Sequence, residues 1–190
     1  MKDIILNIIS KYLDVFPTEK ERQDELIEYL DTQKEEKLTD WSNFDGHITA
    51  GGFIYAAKED KILLLYHKDL NMYLYPGGHA ESSDMNPLDT AKREIFEETG
   101  LDNPELIKIC DDELIPIDID THIIEYNKKR NLQEHYHFDF RYLFVVDKIQ
   151  DIKIDEKECK DYKWINLKEL EKDKTYGNIV RKIKEFIIKN

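Results

Sequence analysis

Residues 93–98 place Arg93, Glu94, Glu97 and Glu98 within six consecutive positions. At about 100° per residue on a helix, the three glutamates form one stripe. It lies roughly a quarter-turn from an apolar stripe of Leu88, Ala91 and Ile95. Like charges this close repel each other, and carboxylates gathered beside a core are costly unless a positive group sits among them. Arg93, one turn from Glu97, can offset one of them. A hard divalent cation, Mg2+ or Mn2+, can bridge all three, because such ions take oxygen ligands and keep waters for a phosphate substrate. Just upstream, Pro76-Gly77-Gly78 makes a tight turn in which the Gly77 carbonyl can approach a metal. On charge alone, a solvated acidic helix face is the alternative.

A second group lies at 134–142, "EHYHFDFRY". As a strand it sends His135, His137, Asp139 and Arg141 to one face and Tyr136, Phe138, Phe140 and Tyr142 to the other. The aromatic face belongs in the core. The polar face is open to three readings: contacts to substrate or phosphate, with Arg141 bidentate; a structural polar network; or a His/His/Asp zinc site. His47 and His79 are candidates for the same cleft, or else hydrogen-bonded turn residues. Glu156 and Glu158 are either a late catalytic acid or ordinary surface. Tyr66, Tyr73 and Tyr75 either stack a base or pack the core.

These side chains need a scaffold. Ile4, Ile5, Ile8, Ile9 and Leu13 recur at helical spacing over 3–16, and Pro17 interrupts them. Thr18 with Glu21 reads as a capping box opening a second helix, about 19–35. Residues 1–36 are therefore expected to form a helical hairpin that packs on the main body, lines the substrate or dimerises. From 46 the texture turns to strands: "HITAGGFIYAA", "KILLLYHK" and "MYLYPGG", then a helix over about 88–99 stopped by Gly100. Strand-like runs follow at 105–110, 113–118, 121–126, 135–147 and 162–166, and "LKELEKD" and "NIVRKIKEFIIKN" read as helices. The fold class is α+β with mixed strands.

The 190-residue chain carries 41 acids against 28 bases, a net charge of −13, which argues against a partner with a phosphate backbone or an anionic membrane surface. No nucleic-acid polymer and no membrane are expected as partners. Cys110 and Cys159 lack metal-ligand or disulfide spacing and read as reduced structural thiols. The apolar run at 4–9 is too short to span a bilayer and has no cleavage site after it, so the expected location is the cytoplasm.

Residues 93–101, "REIFEETGL", resemble the second half of the Nudix hydrolase signature at every specified position. The first half departs from it. After Gly78 and five intervening residues comes Asp84 where the family has glutamate, and eight residues instead of seven separate Asp84 from Arg93. Glu81 is the other candidate for that first acid. "GHITAGGFI", "LLYHKDLNMYLYPGGHAE", "EHYHFDFRYLF" and "YKWINLKEL" extend the likeness over about 46–170. The resemblance implies a Nudix fold, a mixed β-sheet sandwiched between helices, over 41–190, with 1–40 as a helical extension. It also implies Mg2+-dependent hydrolysis of a diphosphate linked to some moiety X, with the substrate a small nucleoside diphosphate derivative or related compound. Glu97 and Glu98 would bind the metal with the Gly77 carbonyl, Glu94 would be ligand or general base, and Arg93 would orient the glutamates. Gly78, His79, Glu81, Asp84, His135, His137, Asp139 and Arg141 are then the candidate substrate contacts. Relatives are often homodimers. The rival readings are a Nudix-fold sensor without turnover and a Nudix-fold diphosphate isomerase, which usually adds an active-site cysteine.

Overall fold

A computed structural model describes residues 1–128, 132–173 and 175–189. The chain opens with α1 (Lys2–Val15), which buries Ile5, Ile8, Ile9 and Tyr12, the i, i+3, i+4, i+7 pattern of one helix face. Phe16 leaves the helix, as the residue before a proline tends to. The expected second helix begins later than the capping-box reading implies. Pro17–Gln23 is a 3-10 segment with no side-chain cap, and α2 spans only Asp24–Thr32. A tertiary demand accounts for this: Glu19 accepts from the Tyr12 hydroxyl, Arg22 and Lys182, which holds the first turn in place.

The centre of the molecule is a parallel pair, β1 (Gly46–Ala56) and β7 (His135–Val146), aligned from Gly46↔Tyr136 to Ala56↔Val146. Every other pairing is antiparallel. β2 (Lys61–His67) joins β1 and carries β3 (Met72–Leu74) and β8 (Cys159–Asn166); β4 (Gly77–His79) pairs the first half of β1. β5 (Glu105–Leu106) and β6 (Asp118–Ile124) pair β7. This is the expected mixed sheet, with two local corrections. The strand expected at 105–110 shrinks to β5, and 113–118 forms no strand before Asp118. There the Asp112 side chain accepts from the Leu114 amide and its carbonyl from the Ile115 amide, making a turn, and Pro116 has no N–H for a ladder.

Strand alternation sorts the two layers. Ile48, Ala50, Ile54, Phe138, Phe140 and Phe144 belong to a cluster that takes in α1, α2 and α3 (Pro87–Thr99). Phe53, Tyr55, Ile62, Leu64 and Leu143 belong to the other, with α4 (Leu167–Leu170) and α5 (Gly177–Lys189). The aromatic face of β7 is thus core, as its pattern required. Among the described residues no helix is long and apolar enough to cross a membrane. Both cysteines are free thiols.

Candidate active site

Local sequence fixes α3 at both ends. Asn86 caps it by accepting from the Asp89 amide at 3.0 Å, Pro87 occupies the first turn, and Gly100 ends it at φ 68. Leu88, Ala91 and Ile95 anchor it in the core. That rotation directs the glutamate stripe at the β4 turn. Gly77 donates its amide to Glu98 at 2.8 Å. A Cβ on Gly78 would stand 2.6 Å from the Glu94 carboxylate, so the double glycine lets α3 close on β4. Gly51↔Gly77 is a pair whose ladder bonds run through the neighbouring Gly52 and Pro76. The Gly77 amide and carbonyl therefore both point away from β1, to the side of Glu98.

Arg93 clasps this arrangement. Its Nε and Nη2 take the two Asp84 oxygens at 3.2 and 2.9 Å, and Nη2 also donates to the His79 carbonyl at 2.8 Å. Nη1 stands between Glu94 at 2.8 Å and Glu97 at 3.1 Å. Asp84 accepts as well from the Glu81 amide and the Thr90 hydroxyl, both at 2.9 Å. Of the two first-acid candidates, Asp84 is the one in the clasp, and the Glu81 side chain is exposed. Glu97 is half exposed, while Glu94 and Glu98 are sheltered.

Electrostatics single out the sheltered pair. Burial pushes the Glu98 carboxyl up to about 8; the Gly77 amide opposes this, and the charges of Glu94, Glu158 and Asp155 add to it. Burial likewise lifts Glu94 to about 7, against Arg93 and with help from Glu97 and Glu158. Two carboxylates that burial and neighbouring acids push toward the neutral form are the kind of oxygen pair a hard divalent ion can hold charged. Glu158, which sequence could not separate from surface, acts on both of them. Cys159 lies in the same field, its thiol pushed up to about 12 by burial and then by Glu98 and Glu158. It is a poor nucleophile.

The second group also converges, on the other face of β4. His79 points there, alongside His47 of β1, His137 and His135 of β7, and His122 of β6, which register brings together. Burial and neighbouring imidazoles hold His47 near 4, His79 near 3 and His137 near 2, so these rings are neutral at physiological pH. Farther along the same face Arg141 is buried against three carboxylates: Asp139 at 2.9 Å, Asp118 at 3.3 Å and Asp120 at 2.7 Å. Tyr75 accepts from Arg141 and donates to Asp139. Arg141 is therefore the hub of a polar network, with Arg22 and Lys182 joining from the N-terminal segment and α5. Sequence reasoning missed Asp118, Asp120 and His122. The alternation in "DIDTH" was the signal that could have found them. Tyr66 and Tyr73 lie under Lys160 and Lys163, whose ammonium groups sit 4.0 and 3.6 Å from their ring centres.

The NUDIX domain family model matches residues 45–185, across the sheet, α3 and its glutamates. The chain belongs to the Nudix family. A probable DHNTP pyrophosphohydrolase of Lactococcus lactis is 33% identical over 142 residues, 74% of this chain and 79% of that protein. An RNA pyrophosphohydrolase of Pelagibacter ubique is 30% identical over 146 residues, 72% and 90% of the two chains. Among solved structures, a NUDIX family hydrolase from Clostridium perfringens superposes with a TM-score of 0.55 at 25% identity, covering 76% of this chain and 98% of its own. The matched region of this Nudix protein begins after α1 and α2, so the N-terminal hairpin lies outside it.

Proposed function

We propose that this Nudix protein is a pyrophosphohydrolase that cleaves a diphosphate linked to a second moiety, in a small nucleoside diphosphate derivative or related compound. The observation that carries this is the sheltered Glu94–Glu98 pair, lifted to about 7 and 8 beside the Gly77–Gly78 turn. The oxygen donors that would hold Mg2+, or Mn2+, are Glu97, Glu98 and the Gly77 carbonyl, with Glu94 beside them as a further ligand or the base. When bound, the ion supplies neutralisation of phosphate charge and a water of lowered pKa.

The chain's own groups do the rest. Arg93 fixes the rotamers of Glu94 and Glu97 and, through Asp84 and the His79 carbonyl, ties α3 to the preceding loop. Glu94 is our choice of base: it is sheltered beside the other two glutamates and held by Arg93 Nη1 at 2.8 Å, in place to take a proton from the attacking water. Glu158 adds negative charge that favours cation uptake.

The two curated relatives are named for different substrates, so the test is a broad panel. Purified protein with Mg2+ should release phosphate-containing products from at least one member, and Glu98→Gln should cut the rate by orders of magnitude. Metal binding without turnover on any compound would favour the sensor. Against the isomerase reading, the Cys159 thiol is buried and held protonated, and Cys110 sits in no matching motif.

A further inference from the structure

Five of the six histidines of this chain gather on one sheet face, and the diphosphate chemistry proposed above uses none of their rings. His47, His79 and His137 each offer a ring nitrogen within 4.8 Å of the other two, the single such group of metal-ligating side chains among the described residues. Their protons do not balance as a hydrogen-bonded cluster. His135 Nδ1 lies 2.7 Å from the Gln133 carbonyl, which can only accept, so the proton of a neutral ring is there and Nε2 bears a lone pair. His137 Nε2 is 3.1 Å from that lone pair and 3.2 Å from His79 Nε2. One proton can satisfy one of these contacts; the other brings two nitrogens together without one. His47 is 4% exposed, and neither of its ring nitrogens has a hydrogen-bond partner. The backbone of Trp41 and Asn43 lies near the ring without reaching hydrogen-bond geometry.

A single cation resolves all of this. We propose that His47, His79 and His137, with His135 as the adjoining fourth donor, bind a borderline divalent cation of the zinc class at a site distinct from the glutamates of α3. Two imidazole nitrogens on one tetrahedral zinc ion stand about 3.3 Å apart, given Zn–N distances of about 2.0–2.1 Å. His79 and His137 at 3.2 Å, and the adjoining His135 and His137 at 3.1 Å, already have that spacing, and His47 offers its nitrogen within 4.8 Å. Neutral imidazole suits zinc, whereas the glutamates of α3 suit Mg2+. The Nδ1-to-carbonyl bond of His135 fixes the ring with Nε2 toward the other histidines, as the outer hydrogen bond of a metal-binding histidine does. Counter-charge is near: among the described residues, Asp118, Asp120, Asp139 and Glu19 surround Arg22, Arg141 and Lys182 on the same side of the sheet. The ion would tie β1, β4 and β7 together at one end of the sheet. It would also fix His79, whose carbonyl Arg93 holds.

The test uses the full chain and zinc itself. Metal-free protein is dialysed against Zn2+ in the presence of excess Mg2+, and bound zinc is measured. One zinc per chain is expected for the parent and for Glu98→Gln, and less than a tenth of that for His47→Ala and His137→Ala. Cobalt gives a second readout that needs no variant. Nitrogen ligation in a tetrahedral site gives intense visible absorption, and Co2+ at this site should quench Trp41, whose ring centre lies 4.1 Å from that of His79. Zinc retained by both histidine variants, zinc lost from Glu98→Gln, or the weak octahedral cobalt spectrum in the parent would each overturn the proposal.

Discussion

Glu98 accepts the Gly77 amide while Glu94, Glu158 and Asp155 add to the burial that lifts its pKa to about 8. Its folded pKa lies above the ordinary 4.5, so protonation favours the folded state. That contribution is complete below about 4.5 and is lost as pH rises through about 8; Glu94 behaves alike with its value near 7. Metal-free protein should therefore lose thermal stability across this window, and Mg2+ should restore more of it at the alkaline end than at the acid end, read by scanning fluorimetry. Glu98→Gln keeps an acceptor for Gly77 and removes the charge. It should flatten the decline and raise the metal-free Tm at alkaline pH while lowering kcat roughly 100- to 10,000-fold. A second pair of variants separates the first-acid candidates. Asp84→Asn breaks the charged half of the Arg93 clasp and should cost about 1–3 kcal/mol in urea unfolding. Glu81→Gln, on an exposed side chain, should stay within about 0.5 kcal/mol.

At the scale of elements, the active site depends on how closely β4 approaches its neighbours on either side. A Cβ at Gly51 would meet the Pro76 carbonyl at 2.3 Å and the Gly77 Cα at 2.8 Å, both backbone atoms that cannot swing aside. A Cβ at Gly78 meets only the end of Glu94, a side chain that can. Gly51→Ala should therefore cost about 3 kcal/mol by forcing β1 and β4 apart. Gly78→Ala should cost much less stability yet reduce turnover more than tenfold, because the displaced carboxylate leaves its Arg93 contact. Unfolding and initial-rate measurements on the same two proteins check the contrast. The cap of α3 makes a milder case: Asn86→Ala should lose about 1 kcal/mol without changing KM.

Over the whole molecule, the N-terminal hairpin behaves as part of the core. Tyr29 packs its ring 4.6 Å from Phe138 and donates to the Gly46 carbonyl at 2.8 Å; Arg22 reaches Asp118 and Asp120. Deleting 1–36 would uncover Phe138 and Ile119 and strip a cation from two carboxylates. The truncated chain should lose its cooperative thermal transition and bind a hydrophobic dye; a sharp transition would show the hairpin to be dispensable. How far the sequence reaches follows from these contacts. The helix of the Nudix box, its Gly100 stop and the alternation of β7 were legible because short-range periodicity and local capping encode them, and the mixed sheet followed from the family resemblance. The acidic character of the site was legible for the same reason. Three things came from tertiary structure alone: Asp84 as the partner of Arg93, the reach of Glu158 to Glu94 and Glu98, and the place of His122 of β6 beside the histidines of β1, β4 and β7. The Arg93 contact depends on the fold of the loop nine residues upstream; the other two depend on strand register and on the packing angle of α3, which join residues tens of positions apart. No local pattern specifies that distance, because it is set by how the whole core closes.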